Sequence, residues 1–156
     1  MGWNRLNGQK IELPIKEAVE NTILAELAKG YRLKICVGTD SAAYHEQIEF
    51  ATVIVFIREK RGGFMFVQNE KVKKKMSLKE RMIVEVGKSV DIAYHICELL
   101  DRYDVELEVH ADINADPNFQ SNVAFKEAMG YILGMGFTFK SKPDAFASSS
   151  CADKLL

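Results

Sequence analysis

The chain has 156 residues, 47% of them apolar and 28% charged, with a formal net charge of −1. That length and balance suit one globular domain around one core, and exclude a disordered chain or one whose overall field would draw it to nucleic acid or membrane. No apolar run approaches the ~18 residues of a membrane span and the start shows no signal-peptide pattern, so the expectation is a cytoplasmic protein.

Residues 1–13 read as an arm with a turn signal at Asn7-Gly8. Pro14 suits the first position of a helix, and Ile15, Val19, Ile23 and Leu27 recur at helical spacing until Gly30 stops it. Residues 31–41 predict a first strand. Phe50–Ile57, "FATVIVFI", predicts a second, a near-continuous apolar run for a sheet covered on at least one face. "REKRGG" carries turn residues, and Phe64–Val67 opens a third strand. Ser77-Leu78-Lys79-Glu80 forms a capping box, S-x-x-E, that starts a long helix running to about Leu100. Val105–Ile113 predicts a fourth strand, residues 119–134 a helix ending at Gly134 and Gly136, and Phe137–Lys140 a fifth strand. "KPDAFASSSCADKLL" closes the chain as a turn and helix. Three hairpin-linked strands followed by alternating helices and strands predict a single α/β domain: a mixed five-stranded sheet with helices on its faces and an extra N-terminal helix.

Cys36, Cys97 and Cys151 form no CxxC or other zinc spacing and read as small apolar side chains in a reducing compartment. The acids are more informative. Plotted at 100° per residue, Leu78, Met82, Val86, Ser89, Ala93, Ile96 and Leu100 share an arc of the long helix. Glu80, Asp91 and Glu98 lie opposite, but Glu85 falls inside the apolar arc. An unpaired buried carboxylate costs several kcal/mol or stays protonated. Either a Lys or Arg pairs with Glu85, or the helix turns enough to wet it, or it joins other acids around a divalent cation.

Alternation along the fourth strand puts Leu107, Val109, Ala111 and Ile113 on one face, and Glu106, Glu108, His110, Asp112 and Asn114 on the other. In the first strand, Leu33, Ile35, Val37 and Thr39 oppose Cys36, Gly38 and Asp40. Asp40 and Asp112 thus both come late in their strands. Each reads either as a hydrogen-bonding turn acid or as part of a charged site. Acids that gather repel one another unless a cation lies between them. Hard Mg²⁺ or Mn²⁺ takes such oxygen ligands, and two ions ~3.5–4 Å apart suit phosphodiester hydrolysis.

The order of these acids, with Val37-Gly38-Thr39-Asp40-Ser41, His110-Ala111-Asp112-Ile113-Asn114, the run Gly130–Phe137, Lys142-Pro143-Asp144 and Ala152-Asp153-Lys154, resembles the YkuK family of ribonuclease-H-like proteins. The resemblance extends from about Ile15 to the last residue. It implies a ribonuclease-H-like fold and a metal-dependent nuclease with two Mg²⁺ or Mn²⁺ ions. Asp40 would bridge the ions, and Glu85 and Asp112 would complete their shells. A fourth acid comes from the closing segment: Asp153, because Ala152-Asp153 is similar to the helix acid of the resolvase branch, or Asp144 as the alternative.

His110, Ser41 and Asn114 flank the acids as auxiliary candidates, His110 for proton transfer and the other two for orienting ligands or phosphate. Lys71, Lys73, Lys74 and Lys75 form the dense basic patch, either a solvated loop or a contact for an RNA or structured DNA backbone. The competing reading is a non-catalytic nucleic-acid- or protein-binding module on the same fold, with its acids too dispersed to share an ion. An actin-like ATPase fits poorly. Gly38-Thr39 precedes Asp40, the reverse of that fold's phosphate loop, and the length leaves no room for a second domain.

Overall fold

The computed structural model describes residues 2–113, 130, 132–134 and 136–156. One mixed sheet holds six strands: β1 Asn4–Arg5, β2 Leu33–Tyr44, β3 Gln47–Arg58, β4 Gly63–Val72, β5 Glu106–Ala111 and β6 Thr138–Lys140, in the spatial order β1-β4-β3-β2-β5-β6. β2, β3 and β4 pair antiparallel, while β5 runs parallel to β2 and β6 parallel to β5. Helices α1 (Ile15–Ala28) and α2 (Leu78–Arg102) precede and follow the antiparallel strands. A π-helical turn at Ala147–Ala152 and a 3₁₀ turn at Asp153–Leu155 close the chain.

Three antiparallel strands followed by two parallel ones match the expected topology, but the sheet has six strands rather than five. The extra strand comes from the arm. Asn7-Gly8 turns the chain, with Gly8 at φ 91° and its N–H donating to the Arg5 carbonyl, and β1 then pairs along the edge of β4. Trp3 beside it is buried in the core, which gives the arm an apolar reason to dock.

Helix α1 departs from expectation at its start, where Pro14 sits at the cap position with extended backbone (ψ 142°). It ends at Ala28, and Gly30 at φ 84° stops it as expected, its N–H donating to the Leu27 carbonyl at 2.9 Å. Val19 and Ile23 are fully buried, but Leu27 is 36% exposed and Glu26 is buried instead. Arg58 explains the exchange: it donates two hydrogen bonds, of 3.0 and 2.7 Å, to the Glu26 carboxylate. The Ser77–Glu80 capping box is formed in both directions. Of the helix expected over 119–134, most lies outside the described residues; 132–134 are helical.

Alternation in β2 separates two layers. Leu33, Ile35 and Val37 face α1 and α2 and join Ile54, Phe56, Ile96 and Leu100 in the main core. Cys36 faces the other side, packed with Val53, Val55, Ala147 and Ala152 under the π-helical turn. The two elements therefore cover opposite faces of the sheet. Gly38 permits the second contact. A Cβ on it would lie 2.5 Å from the Ser148 nitrogen and 2.6 Å from the Ala147 carbonyl carbon, so only glycine lets the closing segment come this near.

Candidate metal centre

β2 and β5 stay paired only as far as Thr39 and Ala111; from Asp40 to Tyr44, β2 pairs with β3 alone. The sheet thus forks just where Asp40 and Asp112 emerge. Through that fork, side chains from both layers can approach the same place. Glu85 comes from α2 on one face, with the hydroxyls of Thr39 and Ser89 (2.7 Å apart) filling the buried space one turn along. Asp153 comes from the closing segment on the other face and lies close enough to Asp40 to raise the pKa of its carboxyl.

The electrostatics follow from this convergence. Burial pushes the Asp40 carboxyl up to about 7, helped by the nearby carboxyl of Asp153 and the charge of Asp112, against the Ser41 N–H that donates to Asp40 Oδ1 at 2.8 Å. Glu85 is pushed up to about 8, again mainly by burial and further by Asp40 and Asp112; the Ser41 hydroxyl and Arg81 work the other way. Both acids hold protons well above the ordinary carboxylate range, first because burial disfavours their charged forms and then because the neighbouring acids repel them.

Ser41 Oγ donates to Glu85 Oε2. Arg81, one helical turn before Glu85, donates through Nε to Ser41 Oγ (3.1 Å) and through Nη2 to the Ser41 carbonyl (2.9 Å). The glutamate is therefore steadied through a serine, with the arginine one step behind. Asp112 is gripped by Lys142, whose Nζ lies 2.8 Å from Oδ1, and by the Ser149 hydroxyl at 3.1 Å. Reading the sequence alone misses Arg81, Lys142 and Ser149 as participants. Only the Lys-Pro-Asp run offered a signal, and it drew attention to Asp144.

Asp144 is exposed, and its backbone N–H donates to the Ser141 carbonyl at 2.7 Å. The π-helical turn has Phe146 at its cap with no side-chain cap bond, so Asp144 does not cap it. Asn114 lies outside the described residues. Lys71, Lys73, Lys74 and Lys75 are all exposed, at the end of β4 and in the loop before α2, with Lys75 3.7 Å from Glu46. That end of the sheet is the one towards which Asp40 lies. The row Asp40–Ala51–Asn69 is three residues from the row Ala43–Ile48–Val72, about 10 Å along the strands.

His110 does not join the acids. It is 1% exposed, stacked edge-on against Phe146, and belongs to a second donor group. Among the described residues, the set whose donor atoms all lie within 4.8 Å of one another is Cys36, Glu108 and His110, not the four acids. The parallel register sets Cys36 beside Glu108.

Hydrogen bonds hold this second set together. His110 Nδ1 accepts the Ala147 N–H at 3.1 Å, so a neutral ring carries its proton on Nε2, which donates to Glu108 Oε1 at 3.0 Å. A metal on Nε2 would have to displace that proton. Lys34 Nζ lies 3.4 Å from Glu108 Oε2, and burial pushes the Cys36 thiol up to about 12. Burial alone would raise Glu108, but its bonds to His110 and Lys34 hold it below the usual carboxylate value. Protons thus already satisfy this group.

A family model described as ribonuclease H-like matches residues 15–156 of the chain. Comparison with curated proteins and with solved structures gives no match.

Proposed function

The chain belongs to the ribonuclease H-like family, and from that premise we propose that it is a divalent-metal-dependent nuclease that hydrolyses phosphodiester bonds in RNA or structured nucleic acid. The observation that carries the proposal is the meeting of Asp40, Glu85, Asp112 and Asp153 at the fork of the sheet, from two strands and two opposite layers. Structural ion pairing accounts for Asp112 alone, which Lys142 holds. Asp40 and Asp153 meet acid to acid, and Glu85 is met by a hydroxyl.

The donor set fits Mg²⁺ or Mn²⁺: four carboxylates, all hard oxygen ligands, with Asp112 still 20% exposed at the rim. Bound there, such an ion would polarise a phosphate oxygen and lower the pKa of a water. The chain's own part is to hold and orient. Asp40 and Asp153 share the central position, Glu85 is aimed by Ser41, and Asp112 is placed by Ser149. The exposed lysines 71, 73, 74 and 75 are suited to a phosphate backbone. With Mn²⁺ or Mg²⁺ present, the protein is expected to cleave labelled RNA or junction substrates, and Asp40→Asn to abolish cleavage. Cleavage that persists in chelator, or in the variant, would overturn the assignment.

One observation favours the second reading, a non-catalytic binding module. No three of the four acids have donor atoms all within 4.8 Å of one another among the described residues. Acids spaced that loosely would have to close in to share an ion. Calorimetric titration with Mn²⁺ separates the readings: saturable binding lost in Asp40→Asn supports the nuclease, and no binding supports the module.

A further inference from the structure

Lys142 places an ammonium group among the acids. Its Nζ is 2.8 Å from Asp112 Oδ1, and it feels the charges of Asp40 and Asp153 as well. Its backbone is fixed at this place, because the Lys142 N–H donates to the Ile113 carbonyl at 3.1 Å. Its head is not fixed in the same way: the side chain is 43% exposed at the rim. A lysine is a compact point charge on a flexible four-carbon stem. The arrangement is therefore an anchored cation that can leave one oxygen and reach another without moving the chain.

We propose that Lys142 is an exchangeable counter-ion of this site. In the metal-free protein it neutralises Asp112. When a divalent cation takes that carboxylate, the ammonium turns outward and pairs with a phosphate oxygen of the nucleic acid. The exchange is accessible because the pair sits at the rim, with Lys142 43% and Asp112 20% exposed, so water screens it in part and a doubly charged competitor can displace the single charge. A purely structural salt bridge would instead have Lys142 hold Asp112 in both states. This role rests on the nuclease reading of the four acids, which it extends by naming the residue that links metal entry to phosphate binding.

The test is a pair of measurements on wild type, Lys142→Met and Lys142→Arg. Removing the competing charge is expected to tighten Mn²⁺ binding about three- to ten-fold by calorimetry in Lys142→Met. The same variant is expected to bind an RNA oligonucleotide more weakly in saturating Mn²⁺, followed by fluorescence anisotropy. Lys142→Arg, which keeps the charge, should stay near wild type in Mn²⁺ affinity. Opposite movements of the two affinities are what a structural role would not give. Equal Mn²⁺ affinity in wild type and Lys142→Met, or unchanged oligonucleotide binding, overturns the role of Lys142 and leaves the metal site standing. Absence of Mn²⁺ binding from every variant overturns the metal site itself, and this role with it.

Discussion

Asp40 and Glu85 make the fold sensitive to pH in a direction opposite to that of most carboxylates. Their folded values, about 7 and about 8, lie above the ordinary 3.8 and 4.5. Each therefore binds a proton in the folded protein that the unfolded chain releases, and stability falls as pH rises towards those values. The slope is about 1.4 kcal/mol per pH unit for each such group. Burial holds His110 below its ordinary 6.5, which acts in the opposite sense only at lower pH. The window from 6.5 to 8 thus isolates the two acids. Without metal, the urea midpoint is expected to drop across it. Mn²⁺ should remove most of the drop, and Asp40→Asn should remove only the share below about 7, leaving the share of Glu85, at no loss of stability at pH 8. A midpoint that rises with pH over this window would mean that the acids are already compensated. At the same scale, Asp153→Asn is expected to weaken Mn²⁺ binding at least ten-fold and Asp144→Asn to leave it unchanged, read by calorimetry. Glu85 is legible in the sequence because α2 is regular, so an angular plot finds the misplaced acid. The choice between Asp153 and Asp144 is not, because counting degrees from one to the other assumes one continuous α-helix. Here the segment starts with a non-helical turn, widens into a π-helical turn and tightens into a 3₁₀ turn, and each change alters the angle per residue.

Elements set the precision of the site, and the closing segment does so most. It reaches the sheet through the gap at Gly38, receives the His110 ring at the Ala147 N–H, and carries Asp153 to Asp40. Gly38→Ala puts a methyl group into the backbone of that segment. Overpacking of this kind costs about 1–3 kcal/mol, and here it acts on the element that brings one of the four acids. Denaturation in urea is expected to show a loss in that range, together with weaker Mn²⁺ binding. Wild-type values in both would contradict the close approach. Val37-Gly38-Thr39-Asp40 stands out as a pattern, yet the reason for its glycine lies about 110 residues further on, so no local rule could supply it. The same holds for β1. Two residues with no apolar alternation are too few to read as a strand, and Trp3 docks them from outside the strand. Strands β2 to β4 are legible because they are long, apolar and separated by turn residues.

At the scale of the whole molecule, a net charge of −1 provides no attraction for a polyanion, so any grip on nucleic acid has to be local. The described surface supplies one arrangement that suits it: exposed Lys73, Lys74 and Lys75 at the end of the sheet towards which Asp40 lies, with Arg81 at the start of the helix that follows and Lys142 at the rim of the acids. Lysines spread about 10 Å or more from the acids can hold successive phosphates while the acids address one. Each phosphate contact releases counterions, so the logarithm of affinity falls with the logarithm of salt by about 0.9 per contact on a duplex and about 0.7 on a single strand. Changing Lys73, Lys74 and Lys75 together to Gln is therefore expected to reduce that slope by about 2 to 3, measured by anisotropy between 50 and 200 mM salt. Mn²⁺ affinity should stay the same, since the three side chains do not touch the acids. If the slope is unchanged, the loop is a solvated surface and the phosphates are held elsewhere. If Mn²⁺ affinity falls with it, the loop and the acids are coupled through α2, whose capping box at Ser77 joins the one to the other.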